Sequence, residues 1–527
     1  MENQLYRLPH PTTHSAEEIS HIKGLISAEQ EVIDSIDVEI EGLMQQIRRL
    51  RFKKLKHKEL IHLYQGSITL ARRIPHEILA TIYEICAQDG YTLTPLHVSH
   101  VCSEWRKATQ IPTVWSNLYI NLDSRDPYGR AAFWAQKSKT TPLHITIDIH
   151  NDISMLPAVV DLLLDHSSRW ETLKVNSRRL SAGNYILERC NSSSLPLLRA
   201  LEIVILEEFD TQGNGTQVEE DVELTDLTFS LAPLLHTFTI SRNVMTQMTL
   251  PLAVTNLSIE LPTYAIPATL SIRVMLDVLE QLPSLQGLSI SMPYGIDRQF
   301  ALDVNDQMSI DLPHLRGLTL TGGTDIFGLL PYLRATSLLQ LHLRSSVDSL
   351  GYPSESFERN VVQFISLARP PLELLELRDV DLSQSVFITC FSQLPHLKTL
   401  RLHESDISDV CLSALHGSGA YCPQLMSLDL RWCGHVSGRA LVRLVRDRST
   451  DGSLHRITSV TLINCAFVGE QDIIDLARIT LCRLMMHDVE DYCRASGCCQ
   501  NERYRRRLQL RHGLEVVDSR KERRLLF

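Results

Sequence analysis

The sequence contains no uninterrupted run of about 20 apolar residues, the length that a membrane-spanning helix needs. We therefore expect no membrane-spanning segment. The first residues, MENQLYRLPH, lack a charged region followed by an apolar core, so no secretory signal is predicted. The 12 cysteines are scattered, mostly within apolar segments, which indicates reduced, buried thiols rather than a disulfide framework. We expect a cytoplasmic or nuclear location from these absences.

Motifs for catalysis and metal binding are also missing. The sequence has no glycine-rich phosphate loop, no nucleophile elbow and no zinc-protease helix motif. The groups of metal-binding residue types that remain are His97 with His100, and His487 with Cys493, Cys498 and Cys499. Neither has the paired Cys-x-x-Cys spacing typical of zinc sites, so we predict no metal site, no cofactor and no catalytic residue. An enzyme with an unrecognised site would require convergent His, Asp, Cys or Ser side chains in one deep pocket.

The composition is ordinary for a soluble folded protein, with 44% hydrophobic and 22% charged residues. At 527 residues, the chain is long enough for several domains, or for one domain and a repeat array. The formal net charge of -10 argues against nucleic acid as a partner, because phosphate groups would be repelled.

A long coiled-coil helix is predicted over residues 15–65, after a flexible tail at residues 1–14. Ser15 and Glu18 have the spacing of a capping box. Beyond them, apolar residues recur at alternating steps of three and four, which is typical of a heptad seam. The seam contains Ile19, Ile22, Ile26, Ile33, Ile36, Ile40, Leu43, Ile47, Leu50, Ile61 and Tyr64, and it is interrupted by Glu29, Lys54 and His57.

A seam this narrow needs a partner helix. The partner could be a second copy of the chain, through residues 19–64, a different protein, or the chain's own repeats. Isoleucine at both seam positions argues against assuming a dimer, because that pattern can favour trimers. The seven basic residues between 48 and 58 indicate a solvated helix face, or else a nuclear-localisation or acidic-partner patch.

A compact helical module is predicted over residues 70–121. Ile74 and Pro75 open its first helix, whose apolar stripe includes Ile78, Leu79 and Ile82. Turn residues at 89–90 end that helix.

A second helix of this module begins at Thr94 and Pro95, and we expect it to continue through Trp105 with Val98 and Val101 buried. We then expect an extended segment after residue 112, with Trp115 in the core of the module.

Residues 141–490 repeat one phrase many times: an apolar residue, two others, an apolar residue, one other and an apolar residue. Each phrase predicts a short strand with one buried face, and helical patterns such as 272–282 and 357–367 lie between. Strand and helix units in series predict a curved leucine-rich-repeat solenoid with a parallel sheet on its concave side, an α/β fold. The phrases begin at Trp170, Leu198, Leu235, Leu285, Leu315, Leu338, Leu372, Leu397, Leu425, Ile457 and Leu481.

Two segments fall outside this pattern. Residues 207–223 are acidic and contain glycine, so a disordered loop is predicted. Residues 491–527 are strongly basic and form either a tail or a cap of the array.

The module at 70–121 resembles the F-box. The opening phrase of that family corresponds to residues 74–79 (IPHEIL), and a later phrase with Cys and Trp corresponds to residues 101–105 (VCSEW). A closing element with Trp corresponds to Val114 and Trp115. The order of coiled coil, F-box and leucine-rich repeats is similar to that of a large group of fungal F-box proteins.

This resemblance implies the substrate receptor of an SCF-type cullin ubiquitin ligase, which acts in ubiquitin-dependent degradation and has no catalytic site of its own. The F-box would bind a Skp-type adaptor, and through it the cullin, while the repeats would hold an unknown protein substrate. The alternative is a repeat scaffold that oligomerises through its coiled coil and has no ligase role. The adaptor-contacting or supporting positions that the resemblance implies are Pro75, Ile78, Leu79, Ile82, Val101 and Trp105.

Overall fold

The computed structural model describes residues 15–68, 74–206, 227–229, 231–241, 248–260, 272–292, 309–322, 324–345, 355–463, 465 and 467–485. The predicted tail at 1–14, the acidic segment at 207–223 and the C-terminal segment with its His and Cys group lie outside these residues. The chain divides into two compact units, one of residues 1–82 and 98–108, the other of residues 83–97 and 109–527.

The first helix, α1, is Ala16–Ile68, 53 residues long. Its start confirms the predicted capping box: the Ser15 amide donates to Glu18 Oε2 at 3.0 Å, and the Glu18 amide donates to Ser15 Oγ at 3.4 Å. The side chains from Ser15 to Glu59 are all exposed. The described part of the chain therefore leaves the heptad seam of these residues uncovered.

Three short helices follow: α2 is His76–Gln88, α3 is Thr94–Ser99 and α4 is Ser103–Ala108. The predicted continuous helix from Thr94 through Trp105 is thus wrong, because the chain turns at residues 100–102. In a continuous helix the Ser99 carbonyl would accept from the amide of residue 103. Here it accepts from Arg106 Nε at 2.8 Å instead.

In the described part of the chain, fourteen parallel strands form the main sheet, and the helices between them complete an α/β repeat array of the leucine-rich type. Its first strands are β1 (Asn117–Asn121), β2 (Leu143–Ile149), β3 (Trp170–Ser177), β4 (Ala200–Ile205), β6 (Thr237–Ser241), β8 (Asn256–Glu260) and β9 (Gly287–Ser291). The sheet continues with β11 (Gly317–Gly322), β13 (Gln340–Ser345), β14 (Leu374–Arg378), β15 (Thr399–His403), β16 (Ser427–Arg431), β17 (Ser459–Ile463) and β18 (Leu481–Met485).

Two further pairs of two-residue strands lie apart from the main sheet. They are β5 (Leu227–Thr228) with β7 (Met248–Thr249) and β10 (Ile310–Asp311) with β12 (Leu333–Arg334).

The described helices of the array, α5 to α13, are in order Pro127–Lys137, Leu156–Leu164, Leu180–Asn191, Ile272–Glu280, Glu355–Ala368, Gln384–Ser392, Asp409–Ser413, Gly438–Thr450 and Glu470–Ala477. Helix α8 confirms the helix predicted over residues 272–282, and helix α9 confirms the helix predicted over residues 357–367. Short 3-10 helices occupy Pro112–Trp115, Ser167–Arg169 and Thr324–Tyr332.

In ten of the eleven predicted copies of the repeat phrase, the three apolar residues are buried as predicted. The prediction for the last copy is wrong. β18 pairs with β17 so that Cys482 stands opposite Val460 and Leu484 opposite Leu462. Leu481, predicted to be buried, is therefore on the other face and 52% exposed. The phrase itself begins two residues earlier than predicted, at Ile479.

Alternate residues of each strand form the core, and deeply buried thiols fill positions near the strand ends. Cys433 is fully buried, as predicted, and its thiol donates to the Leu402 carbonyl at 3.5 Å. Burial raises the pKa of Cys190 to about 12, so this thiol stays protonated at neutral pH. The nine cysteines that the structure describes are all free. Among the described helices, none is long and apolar enough to cross a membrane.

Candidate functional site

Helix α2 has one buried and one exposed apolar face. Leu79 and Ala80 are each 3% exposed, whereas Ile78 and Ile82 are 54% and 41% exposed. Ile78 and Ile82 are four residues apart, so they lie side by side on the helix surface. Isolated exposed apolar residues are common, but a stripe on a short helix is typical of a docking surface.

The other predicted adaptor-contacting residues lie in the same unit of the chain. Pro75 is exposed and Trp105 is half-buried, whereas Leu79 belongs to the interior. The predicted burial of Val101 is wrong, because the chain turns there and leaves Val101 60% exposed. His76 Nε2 lies 3.0 Å from Glu104 Oε2, which brings the start of α2 beside the first turn of α4. Hydrogen bonds from Lys107 and then from His76 hold the pKa of Glu104 below its usual range.

Trp115 is 4% exposed and does not belong to this surface. Its indole N–H donates to the Thr109 carbonyl at 2.6 Å, and its ring packs edge-on against Trp134 at 5.1 Å. The predicted burial of Trp115 is confirmed, but its aromatic partner lies on the helix Pro127–Lys137, beyond the predicted module at 70–121.

The second candidate surface is the face of the main sheet opposite to the buried strand residues. We name it the open face. Pairing in register stacks these residues into three rows across the strands. The middle row runs Tyr119, Thr146, Lys174, Glu202, Thr239, Ser258, Ser289, Thr319, His342, Glu376, Arg401, Asp429, Thr461 and Arg483.

Over β1 to β4, polar side chains of the open face pair with one another across the strands. Lys174 Nζ donates to Glu202 at 2.7 Å, and the Tyr119 hydroxyl donates to Asp148 at 2.6 Å. Burial and the Asp148 carboxylate raise the pKa of Tyr119 to about 12, so its hydroxyl remains a donor. These side chains stabilise one another across the strands and offer fewer unpaired groups to a ligand.

Over β6 to β13 the first two rows of the open face carry no aspartate, glutamate, lysine or arginine, and they line a cleft of about 250 Å³. A Cβ atom built on Gly317 would meet no atom within 4 Å, so the backbone itself forms the floor there. The polar and glycine residues that line the cleft are Thr237, Thr239, Asn256, Ser258, Gly287, Ser289, Gly317, Thr319, Gln340 and His342. A floor of this kind accommodates the backbone of an extended peptide.

Over β13 to β18 the open face is charged. We name it the arginine cluster, and it contains Arg344, Arg378, Arg401, Arg431 and Arg483 together with His342, His403, Glu376, Asp379 and Asp429. Glu376 is its centre, with Oε1 2.7 Å from Arg344 Nε and Oε2 3.0 Å from His342 Nδ1. Hydrogen bonds from His342 and then Arg344 hold the pKa of Glu376 well below its usual range.

The guanidinium groups of this cluster lie above its carboxylates. The side chains of Arg344, Arg378, Arg401 and Arg431 are 38 to 47% exposed, whereas those of Glu376, Asp379 and Asp429 are 5 to 18% exposed. Two further carboxylates, Asp381 and Glu404, are buried after the ends of β14 and β15. A ligand therefore meets guanidinium donors first, held in place by carboxylates beneath them.

The sequence did not reveal this second surface. Its residues occupy the variable positions of the repeat phrase, and contacting partners such as His342 and Glu376 are 34 residues apart. The only usable signal is the arginine or histidine that recurs between the last two apolar residues of a phrase, or directly after them, from β13 onward.

No family model matches the chain, and no curated protein matches it. Among solved structures, 47 chains match. One belongs to the crystal structure of the mouse RP105/MD-1 complex, with 15% identity and a TM-score of 0.32, over 64% of this chain and 55% of that one. This chain thus spans about half the length of that solved chain, and the repeat fold rests on the strands described above.

Proposed function

We propose that this chain is a non-catalytic protein-binding repeat protein that acts as the substrate receptor of an SCF-type cullin ubiquitin ligase. The observation that carries this proposal is the exposed pair Ile78 and Ile82 on α2, within a segment whose motifs resemble the F-box. Pro75, Val101 and Trp105, in the same unit, are further accessible positions for a Skp-type adaptor. The receptor would bring its substrate close to a ubiquitin-charged enzyme carried by the same complex.

Adaptor binding is tested with purified full-length chain and a Skp-type adaptor. We expect a stable complex that Ile78→Asp and Ile82→Asp each weaken by at least about tenfold, because each places a charge in an apolar interface. Leu252→Asp is the matched control, since Leu252 is 68% exposed and lies in the repeat array. Failure of the unmodified chain to bind any Skp-type adaptor, measured by calorimetry, would contradict the ligase role.

We also propose that the open face holds the protein substrate, with an extended segment over the cleft and acidic side chains against the arginine cluster. Bidentate bonds from guanidinium groups to carboxylates are among the strongest hydrogen bonds in proteins, which supports an acidic segment. The small floor of the cleft supports close approach of a backbone.

Selection of random displayed peptides against the full-length chain tests this assignment. We expect selected peptides to be rich in Asp and Glu, to lose binding to Arg401→Glu, and to lose binding to Gly317→Leu, which fills the cleft. Arg443→Glu and Gly452→Leu are the matched controls, because both residues are open to solvent away from the open face. Selection of neutral or basic peptides, or binding unchanged in both open-face variants, would count against the assignment.

The second candidate function is a repeat scaffold that oligomerises through α1 and has no ligase role. The uncovered seam of α1 favours it. The adaptor experiment separates the two candidates, because a scaffold predicts no adaptor complex but leaves peptide binding on the open face intact.

A further inference from the structure

The apolar seam of α1 is exposed along its length. Ile22, the least exposed isoleucine of the seam, is 42% exposed, and Ile26 is 62% exposed. A helix of 53 residues extends for about 80 Å at 1.5 Å per residue. An uncovered apolar seam of this length requires a second helix of similar length.

The charge of α1 has opposite sign in its two halves. Between residues 16 and 41 the only basic residue besides histidine is Lys23, and the acidic residues are Glu17, Glu18, Glu29, Glu31, Asp34, Asp37, Glu39 and Glu41. Between residues 48 and 59 the only acidic residue is Glu59, and the basic residues are Arg48, Arg49, Arg51, Lys53, Lys54, Lys56 and Lys58. A helix with this polarity repels a parallel copy in register and attracts an antiparallel one.

The residues that interrupt the seam select one antiparallel register. In an antiparallel pair, the first apolar position of a heptad on one helix faces the second on its partner. We use the word layer for a pair of facing seam residues, one from each helix. If Glu29 faces Lys54 of the other copy, the two oppositely charged residues share a layer, and this layer occurs twice per dimer. Every other layer in this register is apolar or contains one histidine: Ile19 with Tyr64, Ile22 with Ile61, Ile26 with His57, Ile33 with Leu50, Ile36 with Ile47 and Ile40 with Leu43.

We propose that α1 forms an antiparallel two-stranded coiled coil with α1 of a second copy of this chain, in the register that pairs Glu29 with Lys54. A parallel pair in register would place Glu29 on Glu29 and Lys54 on Lys54, each without compensation. The preference of isoleucine-rich seams for trimers applies to parallel assemblies and does not govern this one. The proposal holds whether or not the chain binds an adaptor, because it depends only on α1.

Charge reversal in the full-length chain tests the register. We expect Glu29→Lys and Lys54→Glu each to weaken self-association about tenfold or more, because each creates two like-charge layers per dimer. The double variant restores opposite charges in both layers, so its dissociation constant returns close to that of the unmodified chain. In a parallel pair each single change replaces one like-charge layer by another, so neither weakens self-association. The double change then has no loss of association to reverse. Sedimentation equilibrium measures all four proteins.

A distance across the dimer tests the orientation. A fluorescent amino acid incorporated in place of Ser20, on the polar side of α1, avoids the natural cysteines. The antiparallel register puts the two labels about 65 Å apart, whereas a parallel pair puts them about 10 Å apart. A short distance, a trimer, or a monomer at tens of micromolar would each overturn the proposal. Adaptor binding by the unmodified chain, measured separately, distinguishes this failure from failure of the ligase role.

Discussion

Arg448 is a fully buried cation that links neighbouring repeats. Its guanidinium group donates to the carbonyls of Leu415 at 2.7 Å, Pro423 at 2.9 Å and Leu425 at 3.1 Å, and also to those of Cys422 and His455. Burial lowers its pKa, but an arginine stays charged in any folded protein. Backbone amides also donate to the carbonyls of Cys422 and Pro423, so Arg448 matters most for those of Leu415, Leu425 and His455, in the loops between β15 and β17.

Arg448→Met retains an unbranched apolar stem and removes every one of these donors. We expect it to lower the free energy of unfolding by about 3 to 5 kcal/mol, because several buried carbonyls lose their partner. Arg443→Met on the same helix is the control and should change it by less than about 0.5 kcal/mol, since Arg443 is 75% exposed. Urea unfolding followed by circular dichroism measures both, and equal effects would show that the carbonyl contacts contribute little.

His403 is a half-buried histidine in the arginine cluster. Burial, and after it the charge of Arg431, lowers its pKa to about 4, although Asp429 and Glu376 act in the opposite direction. Its Nε2 atom is buried without a hydrogen-bond partner in the described structure. The ordinary pKa of histidine is about 6.5, so between that pH and pH 4 the unfolded chain binds a proton that the folded chain does not.

Stability should therefore fall as the pH is lowered from about 6.5 to about 4, by an amount on the order of 2 kcal/mol from this residue. His403→Gln removes the proton-binding group, so we expect a flatter dependence over this window. Glu376 contributes with the same sign, because its stabilisation is lost as the pH falls below the ordinary range for a carboxyl. Urea midpoints at several pH values compare the two proteins, and identical slopes above pH 5 would rule out the role of His403.

At the scale of single elements, the strands were largely predictable because the repeat phrase has the period of a strand with one buried face. β8 was missed although Val254, Leu257 and Ile259 fit the phrase, because it follows the preceding copy after only 19 residues. β18 was misplaced because a cysteine, Cys482, stands where other repeats have leucine. Pairing with the preceding strand sets the register there, and local sequence does not carry that information.

The two candidate surfaces differ in how far the sequence reveals them. Helical periodicity predicts an apolar stripe with Ile78, Leu79 and Ile82, but only the resemblance to the F-box implies that this stripe faces a partner, and Leu79 is buried. The arginine cluster arises only when repeats stack, since its contacts join residues of different strands. No local pattern reports which variable positions become neighbours.

Helix α1 contains two glycines that no packing requirement explains. A Cβ atom on Gly24 or Gly42 would meet no atom within 4 Å. Replacing either by alanine should stabilise the helix by about 0.5 to 1 kcal/mol, because glycine loses more backbone entropy on folding. Hydrogen exchange of the full-length chain should show amides of α1 slowed by about two- to fivefold.

Gly90→Ala is the control for this prediction. Gly90 has φ of +96°, a conformation that alanine adopts only with strain, although the space around it is open. We expect this change to destabilise the chain locally. Faster exchange in α1 after Gly24→Ala would contradict the entropic argument.

At the scale of the whole molecule, the repeat array is stabilised by contacts between neighbouring repeats. Leu320 in β11 is fully buried and has paired strands on both sides. Leu484 in β18 is 8% exposed, and among the described strands β18 pairs only with β17. The same substitution should therefore have different consequences at the two positions.

Leu320→Ala should cost about 2 to 5 kcal/mol and broaden the unfolding transition, because it weakens the array at its centre. Leu484→Ala should leave the main transition near its original midpoint and loosen only the last repeat. Calorimetric scans of both variants measure this, with hydrogen exchange to locate the loosened strand. A single sharp transition of equal midpoint in both would indicate that the array unfolds as one cooperative block.

The three rows on the open face have a consequence for how recognition can diversify. Strands of a sheet lie about 4.8 Å apart, so the exposed side chains occupy regularly spaced positions on the open face. The buried leucines hold the strands in place, and a substitution at an exposed, variable position changes one side chain of the surface without altering the core. A lineage carrying this repeat array could thus acquire new targets one amino acid at a time while its fold stays the same.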